Sequence, residues 1–446
     1  MFFDHLLILA LIVCAVIGLV GITLMTQYPR FSYILLFLSI VGGQLARLSL
    51  GTDTRGGSAI IATDVIVILM CFAWIWRKLV LERKFTLPKL TFPIQIFLVV
   101  TAISVVAGII NIINLVSPDL KTIIVSISYY ARFVAYALLY FITQEFLAQK
   151  PQEHRVFLFN CIFVTSILVS IGGFVQLIVM PDFTPYAIQY GWDPHVDRLL
   201  GTFFDPNFIG SYFAFILAMG MGLYPTASKK HKVLIAFSIL FCSVALLLTF
   251  SRTGYVAFLA AFFLIGLMRS PKLLIVGTAC IALGLISSPR AVQRITDGLS
   301  VDETGLKRVY SWDKGTRILT SHPIFGVGYN NLATIQDYYS LVDEFDVNNR
   351  GGLENSLLTV FVTTGIFGGL AYIWLWFSTF KIAFDAWKRK AMRKVCRNQA
   401  LAIAAGLLAF VVSSIFMNSL LYPFILVHIW IASALIPDYT HDSLSY

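Results

Sequence analysis

Arg308-Val-Tyr-Ser-Trp312, Ser321-His-Pro-Ile-Phe-Gly326-Val-Gly328-Tyr-Asn-Asn331 and Glu354-Asn-Ser356 punctuate one long polar interval in a 446-residue chain. On either side of this interval the sequence is apolar run after apolar run. Thirteen stretches approach the ~20 residues needed to cross a bilayer core: 6–25, 31–46, 60–76, 92–114, 123–147, 156–179, 208–223, 233–250, 254–268, 273–288, 355–377, 400–417 and 424–436. The expected fold is an all-α polytopic membrane protein of about 12–13 transmembrane helices. Residues 1–446 form a single integral membrane domain, with 289–354 as a long outer loop between spans.

Composition agrees. Hydrophobic residues make up 58 % of the chain and charged residues 13 %, with mean hydropathy +0.82. A soluble domain carries about a quarter charged residues, so that class is excluded. The net charge of +10 does not indicate nucleic acid, because the cations sit in short connections between spans. Segments 77–91 and 381–399 are the richest; Lys150/Arg155, Lys229/Lys230/Lys232 and Arg269/Lys272 fall on the same side if every span crosses once. That side is expected to be cytoplasmic. The polar interval, with seven basic and nine acidic residues, then falls outside, as do 180–207 and the tight turn Ser251–Thr253. The six cysteines are scattered without CxxC spacing, so no disulfide framework or zinc site is expected. The first apolar run has no basic leader and continues into further spans, unlike a cleavable signal.

Within the interval, Val309, Trp312, Thr316 and Leu319 share one helical face. They predict an amphipathic helix over 308–321, lying on the membrane surface or packed onto neighbouring spans. Arg308 has Thr304, Gly305, Ser311 and Trp312 at helical spacing and no local carboxylate, whereas Arg317 has Asp313 at i−4. An arginine in that setting suits bidentate contact with phosphate or simple solvation. Arg252, at a short outer turn, either complements the end of span 233–250 with Gly254 as the residue after the cap, or serves a ligand. Arg132 lies mid-span with Ser128, Tyr129 and Tyr136 on its face, as a functional cation or an interhelical brace. Glu354 stands before an apolar run, with Asn355 and Ser356 as N-cap candidates. It reads as a general base or as part of the helix cap. Asp193-Pro-His195-Val-Asp197 is a weak metal signal within one loop, and no Asp-x-Asp, phosphate loop, GxSxG or HExxH is present.

Four blocks in order resemble the O-antigen ligase/polymerase superfamily of bacterial membrane glycosyltransferases. They are Gly201-Thr-Phe-Phe-Asp-Pro-Asn207-Phe, Thr249-Phe-Ser-Arg252-Thr-Gly254, Arg308-x3-Trp312 followed by Pro323-x2-Gly326-x-Gly328, and Glu354-Asn355-Ser356-x8-Gly365-x2-Gly368. The resemblance covers roughly 195–380. It implies a GT-C-like fold in the bacterial cytoplasmic membrane with a periplasmic active site, and transfer of a glycan from an undecaprenyl-diphosphate carrier. Arg252 and Arg308 are expected on the diphosphate, with Arg132, Asn207 and Asn355 as further substrate-binding residues and Glu354 as base. Inversion without metal or other cofactor is implied. So are a glycan or lipid-glycan acceptor and the bilayer as partners, with chain-length regulator and flippase proteins beside them, and no nucleic acid. Ligases of the superfamily typically carry His-Asn where this chain has Glu354-Asn355. That departure favours a repeat-unit polymerase over a ligase acting on lipid A core. A glycan-lipid transporter is the alternative of another class, but neither repeats nor paired broken helices are evident.

Overall fold

The computed structural model describes residues 18–49, 59–81, 87–116, 120–190, 192–269, 303–341 and 352–437, with Val16 and scattered positions between 272 and 296. The helices are α1 (Gly18–Gln27), α2 (Pro29–Gly42), α3 (Ala62–Leu81), α4 (Thr91–Val116), α5 (Leu120–Gln149), α6 (Pro151–Val179) and α7 (Thr184–Tyr190). They continue with α8 (Pro206–Leu223), α9 (Lys229–Thr249), α10 (Arg252–Arg269), α11 (Glu303–Ser321), α12 (Leu332–Tyr338), α13 (Ser356–Lys388), α14 (Lys394–Ser413) and α15 (Pro423–Ala434). Two short strands, β1 (Arg47–Ser49) and β2 (Ala59–Ile61), pair antiparallel between α2 and α3.

Among the described residues, nine helices are long and apolar enough to cross a membrane: α2, α4, α5, α6, α8, α9, α10, α13 and α14. The chain is an all-α polytopic membrane protein. The expected span 60–76 corresponds to α3, which carries Asp64, Arg77 and Lys78. The expected span 424–436 corresponds to α15, whose twelve residues reach only about 18 Å. The expected spans 6–25 and 273–288 fall largely outside the described residues.

α8 is the most enclosed span. It packs against α9, α10 and α14, and its neighbours approach closely because the contacts are small. A Cβ added to Gly254 of α10 would sit 3.1 Å from the backbone of Gly210 in α8. Without a hydrophobic drive between helices in lipid, such close backbone approach is what gives packing its strength.

α13 is interrupted. Gly365 takes φ 67° and ψ −170°, which ends the helical hydrogen-bond ladder mid-span. The orphaned groups are met from outside the helix. Val327 N–H donates to Val362 O (2.9 Å), Gly328 N–H to Thr363 O (2.9 Å), Ser104 Oγ to Thr364 O (3.1 Å), and Ile366 N–H donates to Pro323 O (2.9 Å). Each group left unmet in hydrocarbon would cost several kcal/mol. The Pro323–Gly328 block is therefore the surrogate partner of a broken span. The transporter-like pattern of paired broken helices differs from this, since protein backbone fills the break.

The polar interval folds onto that anchor. Ile318, Val327, Leu332, Ile335, Leu353, Val362 and Ile112 of α4 form a small separate core. The helix expected over 308–321 is present as part of α11, packed on α13, but its buried face is Ser311, Lys314, Gly315 and Ile318. Val309 and Thr316 of the expected stripe are exposed. The offset has a physical reason: the inward face meets polar partners. Lys314 Nζ donates to Gln336 Oε1 of α12 (3.2 Å), and Ser311 Oγ accepts from Glu354 N–H (3.0 Å). The buried face is thus rotated from the apolar stripe, of which Trp312 and Leu319 are half-buried.

Gly365→Ala places a Cβ against the Ile324 carbonyl at a backbone angle that L-residues avoid. It is expected to cost more than ~2 kcal/mol, read as a clear fall in thermal midpoint in detergent, whereas helical Gly18→Ala, with nothing within 4 Å among the described residues, does not lower the midpoint.

Candidate functional site

The site starts at the α9–α10 turn. α9 ends at Thr249, and Phe250 takes the left-handed cap position (φ 49°). Ser251 caps α10, its Oγ accepting from Gly254 N–H (3.2 Å). Gly254 thus lies inside α10 and is not the residue after the α9 cap. The α9 carbonyls are met instead by Arg198, which the sequence reading missed. Its Nε donates to Thr249 O (2.9 Å) and its Nη2 to Phe250 O (3.3 Å). Arg252 then opens α10, at the end of the helix where the dipole disfavours a cation by several tenths of a kcal/mol. The helix-complementing role expected for Arg252 belongs to Arg198.

Two sequence-distant residues converge on this turn. Ser251 Oγ donates to Asn207 Oδ1 (2.8 Å), bringing in the first turn of α8. Arg308 of α11 reaches Thr253 Oγ1 with Nη2 (3.4 Å), and its guanidinium lies 5.6 Å from the ring of Phe416. Asn207, Arg252 and Arg308 therefore share one neighbourhood. Arg317 makes the expected exposed pair with Asp313 (2.8 Å).

Glu354 joins one turn further along α11. Its N–H donates to Ser311 Oγ and its carbonyl accepts from Trp312 Nε1 (3.1 Å). Its main chain is thus docked beside Arg308's helix, and its side chain is half-buried. The N-cap of α13 is Asn355, whose side chain accepts from Leu358 N–H (2.9 Å). Asn355 is engaged as a cap, which Glu354 is not. Ser356 secures the 414–420 loop: its N–H donates to Ser414 O (2.8 Å), its Oγ donates to Met417 O (2.9 Å) and accepts from Leu420 N–H (3.1 Å).

That loop borders a cavity of about 370 Å³, whose lining includes Arg47, Tyr129, Arg132, Asn418 and Tyr422. Arg132 lies here and not with Arg308. Its Nε donates to Asp64 Oδ1 (2.7 Å), which also accepts from Tyr136 Oη (2.7 Å), while Asp64 Oδ2 accepts from Ile61 N–H (2.9 Å). Asp64 is the partner the sequence reading missed; two ionisable groups on neighbouring spans were the available signal. Arg47, also missed, stands 5.1 Å from the Trp192 ring.

Asp193, His195 and Asp205 place possible ligand atoms within 4.8 Å of one another. Positive potential is already supplied there by Arg198, 3.5 Å from His195 Nδ1, and by the α8 N-terminus. Asp205 caps α8 through Oδ1, accepting from Asn207 N–H (2.6 Å) and Phe208 N–H (2.9 Å). His322 lies 3.1 Å from the Tyr339 hydroxyl, and burial lowers its pKa.

Residues 237–373 match the family model described as O-antigen ligase. This match supports the O-antigen ligase/polymerase superfamily. Members of this family are glycosyltransferase-like enzymes, both ligases and polymerases. A comparison with curated proteins gives no match. The matched region holds the α9–α10 turn, α11, Glu354 and the first part of α13 with its break at Gly365. Asn207, Arg198 and Arg132 lie before it.

Burial raises Asp205 to about 6, helped by Asp193 and opposed by the Phe208 and Asn207 amides and Arg198. A carboxyl whose folded pKa exceeds its unfolded value of ~3.9 stabilises the fold fully below that value. The contribution is lost as pH rises through 6. Asparagine caps as well as aspartate. Asp205→Asn is therefore expected to raise the thermal midpoint at pH 8, with the gain vanishing toward pH 4.

Proposed function

We propose that this protein is a membrane glycosyltransferase that polymerises undecaprenyl-diphosphate-linked oligosaccharide repeat units on the outer face of the cytoplasmic membrane. The observation that carries this reading is the meeting of Arg308 with the Ser251–Thr253 turn, beside Asn207 and one helical turn from Glu354's anchorage.

In this reading a glycan leaves its lipid diphosphate as the anomeric C–O bond breaks. Negative charge grows on the departing phosphate oxygen, and cations fixed in advance lower that barrier because they need no reorganisation. Arg252 and Arg308 take this role. The Arg252 position in the α10 first turn suits it, since backbone N–H groups there also favour an anion. Glu354 accepts the proton of the acceptor hydroxyl, which forms the new C–O bond from the opposite face and inverts the anomeric centre. The chain's own residues supply every role in this scheme. Asn207 holds the turn through Ser251, Asn355 serves by capping the helix behind Glu354, and Arg132 braces the cavity through Asp64.

The cavity suits a glycan. Tyr129 and Tyr422 offer flat apolar faces, while Asn418, Arg47 and Arg132 offer donors. Gln44 Nε2 fixes the Tyr422 hydroxyl (2.9 Å), which itself donates to Phe203 O (3.1 Å). A ligase reading, with lipid A core or another terminal acceptor, retains support from the description of the matching family model. The carboxylate at Glu354 favours the polymerase.

Reconstitution with a defined lipid-diphosphate repeat unit alone is expected to give a ladder of products. Product only after addition of a lipid A core would establish the ligase, and translocation without new glycosidic bonds would remove both. Arg308→Ala is expected to lower turnover roughly 10²–10³-fold and Glu354→Gln roughly 10²–10⁴-fold, with insertion unchanged. Full turnover in Glu354→Gln would strip that residue of its role as base.

A further inference from the structure

The polar interval contains one stretch whose composition does not suit water. Residues 318–336 hold no Lys, Arg, Asp or Glu, although Arg317 and Asp337 stand on either side. Within this stretch Ile324 and Phe325 are 52 % and 42 % exposed. They lie in the turns between α11 and α12, and their main chain sits against the break in α13. A Cβ added to Gly365 would collide with the Ile324 carbonyl and lie 2.6 Å from Phe325 N.

Two counts place that contact at membrane depth. Lys381 of α13 is held in an exposed pair with Asp385 (2.7 Å), so one membrane boundary lies at or before it. Sixteen residues of α13 separate Lys381 from Gly365, about 24 Å of a hydrocarbon core ~30 Å thick. Gly365 then lies at least ~6 Å below the opposite boundary, and helix tilt would deepen it. The second count starts at Ser104 of α4, whose Oγ donates to Thr364 O (3.1 Å). α4 runs antiparallel to α13 here, since Phe92 meets Trp374 (5.5 Å between ring centroids). Ile110 and Ile113, six and nine residues past Ser104, are still exposed. The apolar outer surface of this span therefore continues about 9–14 Å beyond the level of the break.

We infer that Pro323–Gly326 is a re-entrant wedge, seated in the leaflet on the α11 side with Ile324 and Phe325 against lipid acyl chains. Their surface is continuous with that of a span: Ile366, Phe367 and Leu370, directly after the break, are exposed on α13. Irregular backbone is tolerated at such depth where protein satisfies it. Besides the bonds to α13, Gly326 N–H donates to His322 O (3.1 Å), Asn331 Nδ2 to Val327 O (3.1 Å) and Ser126 Oγ to Tyr329 O (2.7 Å). Pro323 has no N–H to satisfy. At the rim, His322 Nε2 lies 3.1 Å from the Tyr339 hydroxyl, and Tyr338 and Tyr339 are exposed, a residue type enriched where membrane meets water. The joint at Gly365 is thus closed by protein on one side and by lipid on the other. The inference rests on the membrane-spanning fold and is independent of the glycosyltransferase reading.

The test places the full chain in vesicles of phosphatidylethanolamine and phosphatidylglycerol. In a first arm the unaltered protein is irradiated with a phosphatidylcholine that carries a diazirine in its acyl chain, and adducts are mapped by mass spectrometry. Adducts are expected on Ile324 and Phe325, as on Phe367 of α13, and not on the exposed Asp313–Arg317 pair. In a second arm, nitroxides are attached through Ile324→Cys, Phe325→Cys, Arg317→Cys or Phe367→Cys in a chain otherwise free of cysteine. Labels at 324 and 325 are expected to be relaxed by oxygen and to lose relaxation by an aqueous nickel complex, as at 367, with the reverse at 317. The first arm stands even where the cysteine-free chain fails to fold. Nickel access at 324 and 325 equal to that at 317 would put the segment in water and overturn the proposal. So would protection from both oxygen and nickel, which marks a protein cover, or absence of acyl adducts at 324 and 325 while Phe367 is labelled.

Discussion

The break in α13 at Gly365 sets a demand that the polar segment between α11 and α13 answers. A transmembrane helix that loses its ladder in mid-span exposes carbonyls where water cannot reach them. Here Val362, Thr363 and Thr364 receive their hydrogen bonds from Val327, Gly328 and Ser104, and Ile366 turns its N–H to Pro323. The polar segment after α11 is thereby fastened into the bundle. Once it is fastened, α11 lies against α13, Arg308 faces the α9–α10 turn, and Glu354 is docked on Ser311 and Trp312. The Pro-Gly-Gly block and the Gly365 block, thirty-odd residues apart in sequence, are two halves of one joint.

The same logic accounts for how charge is placed. Arg198 takes the electrostatically favourable position at the α9 C-terminus. Arg132 is matched within the bundle by Asp64. Arg252 occupies a helix start, which a cation ordinarily avoids and an anion prefers. Arg308 reaches the same turn from a different element.

Much of this was legible in the chain. Apolar runs gave the spans, and the motif order gave the superfamily that the 237–373 match supports. Asn207 and Arg308 each hydrogen-bond to the Ser251–Thr253 turn. What resisted reading was pairing between distant elements. Asp64 and Arg132 lie on spans sixty-eight positions apart, and nothing local announces their contact. The α11 face was displaced because Ser311 and Lys314 point inward to polar partners, a pattern that hydrophobic periodicity cannot detect. Phe416 falls in the expected span 400–417, with Asn418 just past it, but the helix ends at Ser413 and Ser356 holds the following loop by three hydrogen bonds.

The central claim is that the interrupted span delivers Arg308 to the α9–α10 turn. The most direct measurement is cross-linking in the membrane between cysteines placed at 308 and 253, in a chain otherwise free of cysteine, with a short bifunctional maleimide. The account predicts efficient bridging of 308 to 253, none between 253 and 317 on the exposed face of α11, and loss of the 308–253 bridge when Gly365→Ala is added. Equal bridging from 308 and 317, or bridging that survives Gly365→Ala unchanged, would contradict it.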